Sequence, residues 1–133
     1  MKFTSVISFC LLLLLFGCGQ SPQPRDPVGV IQAEIQAINR GQADVAAGYF
    51  AENGQIISAW GQPTGKDKVK SFISTTLIKL KSHAEVNALA SDGSKVTGTI
   101  TWSTPYEKFP PFGLKAVVQD GKIASIEWGT AAK

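Results

Sequence analysis

The spacing of apolar residues changes at Lys81, and that change restricts the chain to few architectures. Before it, Val69, Phe72, Ile73, Thr76, Leu77 and Leu80 recur at intervals of three and four, opposite Lys66, Lys70, Ser71 and Ser74. That spacing predicts an amphipathic helix. After Lys81 the period is two. Ala84, Val86, Ala88 and Ala90 alternate with His83, Glu85, Asn87 and Leu89, and Val96, Ile100 and Trp102 alternate with Thr97, Thr99, Thr101 and Ser103. Leu114, Ala116 and Val118 make a third strand; Ala124, Ile126 and Trp128 make a fourth. Ser91-Asp92-Gly93 and Asp120-Gly121 supply the turns between them. The even-numbered residues form the apolar face of every strand. Such a sheet buries one side under helices and shows a threonine-bearing side elsewhere.

Upstream of this switch, Asp26 reads as a helix N-cap with Pro27 at the first helical position. Ile31, Ile35 and Ile38 form one stripe, and Gly41 ends the helix. A second helix is expected from Ala43 to Ala51 with Val45, Tyr49 and Phe50 facing inward, stopped by Glu52-Asn53-Gly54. Gln55 to Trp60 is expected to be a strand, and Gly61 to Gly65 a loop. The fold class is α+β.

The N-terminal residues belong to a different kind of segment. Lys2 precedes an apolar run from Val6 to Phe16 broken by Ser8. A spanning helix needs about 20 apolar residues, whereas a basic start and a shorter run fit a secretory signal. At its end, Leu15-Phe16-Gly17-Cys18 resembles the lipobox of bacterial lipoproteins, in which the chain is cut before the cysteine and the thiol is acylated. The resemblance implies a signal peptide over 1–17, a lipidated tether over 18–27 with three prolines, and a domain over 28–133. It places the protein in the bacterial cell envelope, lipid-anchored through Cys18, with Gly19 pointing to the outer membrane where the host has one. Cys10 falls in the removed segment, so the folded part is expected to hold no disulfide.

Charge narrows the partners. Thirteen Lys and Arg against ten Asp and Glu leave a net +3, dispersed apart from Lys66, Lys68 and Lys70. Nucleic acid, which calls for a concentrated basic face, is not expected. His83 is the only histidine and reads as a surface residue. No metal-ligand spacing is present, and neither a metal nor a cofactor is expected.

Three stretches, in this order, carry a further resemblance: Ile38-Asn39-Arg40-Gly41-Gln42 with Tyr49-Phe50-Ala51-Glu52-Asn53; Thr64-Gly65-Lys66-Asp67 leading into Val69 and Phe72; and Asp120-Gly121-Lys122-Ile123. From Val28 to about Trp128 the chain resembles the nuclear transport factor 2-like superfamily, especially its SnoaL-like, polyketide-cyclase-like members. The resemblance implies a cone, a curved antiparallel sheet wrapped around about three helices with a pocket at the open end. The superfamily holds isomerases, dehydratases, epoxide hydrolases and cyclases beside proteins with no chemistry, so the site has to come from residues. Where ketosteroid-isomerase-type relatives carry an aspartate on the first strand, this chain has Ser58, and their second acid falls near Gly113 or Leu114. Neither acid is kept. The acidic and arginine set of epoxide hydrolases is missing too, since Arg25 and Arg40 lie in the tether and at a helix end.

Glu34 is the surviving candidate acid or base, because it falls among Ile31, Ile35 and Ile38. Turned inward, it would have a pKa raised by desolvation; the expected placement is the rim, where it is solvated. Trp60, Trp102 and Trp128 are each expected to end a strand on the apolar face, with Tyr106 and Phe109 in the Pro-rich loop after them. Together these rings would surround the mouth of the cone, with Glu34, Tyr49 and Ser58 orienting a ligand. Three readings follow. The first is a membrane-tethered pocket domain that binds a small, largely apolar molecule or an envelope partner without chemistry. The alternatives are an isomerase, dehydratase or cyclase working through Glu34, and a module forming a homodimer through the outer sheet face.

Overall fold

The computed structural model describes residues 26–129. Helix α1 (Pro27–Asn39) begins where the sequence places it: the Asp26 carboxylate accepts the Gly29 N–H at 2.8 Å. It ends at Gly41, whose φ of +74° lets Gln42 N–H reach the Ala37 carbonyl and Gly41 N–H the Ile38 carbonyl, both at 2.9 Å. This is the paired closure of a glycine-terminated helix. Val30, Ile31, Ile35, Ala37 and Ile38 are buried against the sheet.

Five strands form one sheet in the order β1-β5-β4-β3-β2: β1 (Phe50–Ile57), β2 (His83–Asp92), β3 (Lys95–Ser103), β4 (Phe112–Gln119) and β5 (Lys122–Trp128). β2 to β5 pair antiparallel, as their alternation requires, and β1 closes the sheet parallel to β5. The even-numbered apolar face holds through β3 and β4, where Val96, Ile100, Trp102, Leu114, Ala116 and Val118 are buried. It breaks at two bulges. Ala88 takes a φ of +54° inside the register shift between Asn87 and Ala90, so Leu89 packs on the core in place of Ala88 and Ala90. A second shift, between Val117 and Val118, turns Ile123 inward in place of Ala124. A bulge inserts one residue and so inverts the faces beyond it.

The middle of the chain departs most from expectation. Helix α2 (Ala43–Gly48) stops before Tyr49, Val45 is 47% exposed, and the buried Phe50 opens β1. Glu52-Asn53-Gly54 is a bulged part of β1 and not a turn: a Cβ on Gly54 would meet the Ile123 and Ala51 carbonyl oxygens within 2.9 Å. The bare glycine lets β5 approach. β1 ends at Ile57, so Trp60 stands in a turn beyond it. Helix α3 (Lys66–Phe72) continues as a π-helical segment (Ile73–Ile78), burying Val69, Ile73 and Leu77 while Phe72 is half-buried and Leu80 is 57% exposed. The wider winding rotates Leu80 off the stripe that a uniform 3.6-residue period assigns to it.

One side chain fastens α1 to the outer strand. The Asn39 amide donates to the Ala84 carbonyl and accepts the Ala84 N–H, both at 2.8 Å. Asn39 thus occupies the backbone pair that β2 turns away from β3. Asn39→Ala is expected to cost about 1–3 kcal/mol, read as a lower urea midpoint and faster amide exchange at Ala84, while Asn39→Asp retains half the pair.

Candidate functional site

The mouth end of the sheet gathers the end of β1, the start of β2, the end of β3 and the loop into β4. There Ser58 closes a tight turn: its hydroxyl donates to the Gly61 carbonyl at 2.8 Å and accepts the Trp60 N–H at 3.2 Å. That turn presents the Trp60 indole to the rings of Trp102, Phe109 and Phe112, with centroids 6.2, 5.4 and 6.1 Å away and all in edge-to-face contact. Such contacts add to the stability that burial gives. The loop holding Phe109 is built as well as placed. Thr104 N–H donates to the Glu107 carbonyl at 2.7 Å, the Thr104 hydroxyl accepts the Glu107 N–H at 3.1 Å, and Phe109 N–H donates to the Trp102 carbonyl at 3.0 Å.

Between this loop and the π-helical segment lies a small recess of about 50 Å³. It is lined by Trp60, Leu77, Leu80, Trp102 and Phe109 together with Thr76, Ser82 and Thr104. No ionisable side chain lines it. Trp102, 1% exposed, is the floor, and its inner side meets Trp128 at 5.4 Å.

No protein-family model matches the sequence, and no curated protein matches it. Solved structures do. A nuclear transport factor 2-like protein of unknown function from Cytophaga hutchinsonii superposes with a TM-score of 0.68 at 15% identity, covering 81% of this chain and 92% of its own. The epoxide hydrolase/cyclase-like enzyme SalBIII of pyran ring formation in salinomycin gives 0.68 at 18% identity, covering 80% and 95%. A protein of ketosteroid isomerase-like fold from Catenulispora acidiphila, solved with trimethylamine, gives 0.68 at 17% identity, covering 77% and 85%.

The fold is nuclear transport factor 2-like. On this cone the residues singled out in the sequence fall into separate places. Trp60 and Trp102 meet at the mouth recess, while Trp128 is buried beneath it. Tyr106 is 96% exposed on the loop and takes no part in the ring of aromatics. Tyr49 is not at the mouth: its carbonyl accepts the Ile123 N–H at 2.7 Å, at the opposite end of β5 from Trp128. Ser58 holds a turn with its hydroxyl and does not face a ligand freely. His83 is exposed beside Glu85, and no cluster of three or more metal-ligating side chains occurs among the described residues. Cys18 lies outside the described residues. Of the loop aromatics expected at the mouth, Phe109 meets Trp60 there; Thr76 and Leu77 come from the inward stripe of the helix, and no sequence signal marks them as recess residues.

Glu34 is fully buried, against the expectation of a rim position. α1 rests so squarely on the sheet that this inward position has no route to water. Neither carboxylate oxygen has a hydrogen-bond partner, and desolvation raises its pKa from 4.5 to about 8. The indole N–H groups of Trp102 and Trp128 are likewise buried without partners. Glu34 is therefore a carboxylic acid at neutral pH, inside the cone but not on the recess wall.

On the other face of the sheet, a cleft of about 280 Å³ runs past Lys95, Thr97, Lys115, Val117, Ser125 and Glu127. This is the surface that the dimer reading requires.

Proposed function

We propose that the protein is a membrane-tethered binding domain that takes a small, largely apolar molecule at the cone mouth without transforming it. One observation carries this reading: the recess is lined by Trp60, Trp102, Phe109 and aliphatic side chains with Thr76, Ser82 and Thr104, and by no ionisable side chain. General acid–base work needs a titratable group within hydrogen-bond reach of the substrate, and the wall supplies none. At about 50 Å³ the recess accepts a methyl-rich or branched end of a molecule, with the remainder lying over Trp60 and Leu80. The trimethylamine held by the Catenulispora protein is of that size class. Lipid on Cys18 would hold the domain at the envelope.

The test uses toluene and isobutanol as probes, followed by tryptophan emission and by NMR shifts. Trp60→Ala is expected to weaken binding roughly ten- to hundredfold, the worth of one lost aromatic wall, with the fold intact. Unchanged affinity would place binding elsewhere. Cys18→Ser is expected to release the protein from the membrane fraction and leave residues 1–17 attached; unchanged fractionation and processing would remove the tether from the reading.

A second reading, an acid–base enzyme using Glu34, is favoured by that residue's burial without a partner. It requires Trp102 or α1 to move so that substrate reaches the carboxyl. Glu34→Gln separates the two readings. A binder keeps its probe affinity, whereas an enzyme loses about 10²–10⁴-fold in rate.

A further inference from the structure

The rim of the recess exposes large apolar side chains in a basic setting. Trp60 is 38% exposed, Leu80 57% and Tyr106 96%. Trp60 and Leu80 line the recess, and Tyr106 stands on the segment whose Thr104 and Phe109 line it too. Trp60 and Leu80 thus flank the opening, and Tyr106 stands exposed on the loop that forms part of its edge. Lys79 and Lys81 bracket Leu80, and Lys108 adjoins Phe109, all three exposed; Glu107 is the one acid in segments 79–82 and 104–109. Exposed aromatic and aliphatic groups gathered in one place mark a surface that meets something.

We propose that the cone mouth docks on an anionic lipid bilayer, with Trp60, Leu80 and Tyr106 entering the boundary between headgroups and acyl chains and the three lysines meeting lipid phosphates. Trp and Tyr favour that boundary because each has an apolar body and a polar tip. Lysines draw a protein to anionic lipid and can lay their stems along the apolar patch.

Chain geometry allows it. Residues 18–25 reach at most about 26–29 Å, and α1, thirteen residues long, measures about 20 Å. The far end of α1 is bonded through Asn39 to Ala84, two residues from recess-lining Ser82. An anchor at Cys18 can therefore lie in the plane that the mouth touches. In that orientation the recess opens into lipid, and its apolar ligand comes from the bilayer and not from water. The orientation rests on the reading of Cys18 as a lipid site; the patch itself does not.

The experiment reconstitutes the protein, purified with its lipid from membranes, into phosphatidylglycerol or phosphatidylcholine vesicles that carry brominated acyl chains. Trp60 is the one exposed indole of three. Bromine in phosphatidylglycerol is expected to remove about a third of the tryptophan emission, the share of an indole at the interface, and Trp60→Phe is expected to abolish that loss. With Lys79, Lys81 and Lys108 all replaced by Gln, the protein stays anchored but loses the quenching.

If the purified protein carries no lipid, the tether reading fails. The full chain is then added to the same vesicles, where quenching supports the patch alone, and the triple Gln variant lowers partitioning roughly hundredfold. Emission that is the same with and without bromine overturns the proposal. So does equal quenching in phosphatidylcholine, or self-association through the mouth without quenching.

Discussion

Folding stability is expected to fall as the pH rises from about 4.5 to about 8, and Glu34→Gln is expected to flatten that fall. In the folded protein Glu34 keeps its proton until about pH 8, because an ionised carboxylate would lie in the core with no hydrogen-bond donor. In the unfolded chain it releases the proton near 4.5. Between these values unfolding frees a proton, so raising the pH favours the unfolded state. Stability from this group is fully present below about 4.5 and is lost by about 8, with a slope near 1.4 kcal/mol per pH unit within the window. Urea midpoints at several pH values, for the wild type and for Glu34→Gln, measure it. A flat wild-type profile would mean that the carboxylate is ionised and paired. Glu34→Met removes the orphaned polar group altogether and is expected to stabilise the fold at pH 7 by about 1–3 kcal/mol.

The second large effect belongs to Trp102. Trp102→Ala removes the floor of the recess and the partner of both Trp60 and Trp128. The expected loss is about 3–5 kcal/mol, seen as a lower denaturation midpoint with an unchanged m-value. Trp102→Phe is expected to lose far less, because it keeps most of the ring contact and discards an indole N–H that has no partner. If Phe and Ala cost the same, that N–H has a partner in solution.

What could be read from the sequence was what neighbours in the chain decide. The Asp26 cap, the Ile31, Ile35 and Ile38 stripe, the stop at Gly41 and the Asp120-Gly121 turn are local, and each occurs as read, Asp120 and Gly121 both having positive φ. Glu52-Asn53-Gly54 has the composition of a turn, yet its conformation is set by β5, about seventy residues later, whose Ile123 carbonyl lies against Gly54. Ala88 in a left-handed conformation has no sequence mark at all, and one such bulge shifted the inward set from Ala88 and Ala90 to Leu89. At the site, the sequence put all the aromatic residues at the mouth, but which of them meet is decided by a turn and a loop. Trp60 joined Trp102 and Phe109 through a turn held by Ser58, while Tyr106, between them in sequence, faces out. Glu34 was ambiguous because a helical wheel shows which residues share a side, and not how deeply the sheet covers it.

The clasp between Asn39 and Ala84 bears on life in a crowd. A strand at the end of a sheet invites a neighbour's strand to add to it, and β2 is such a strand. Asn39 fills one rung of it from within the same molecule, and the bulge at Ala88 kinks the stretch beyond, so an incoming strand meets one occupied rung and one broken one. Proteins tied to a membrane are confined to two dimensions and collide far more often than in solution. Held at a membrane as proposed, the domain would meet its own copies with one rung of the β2 edge already filled by a side-chain amide.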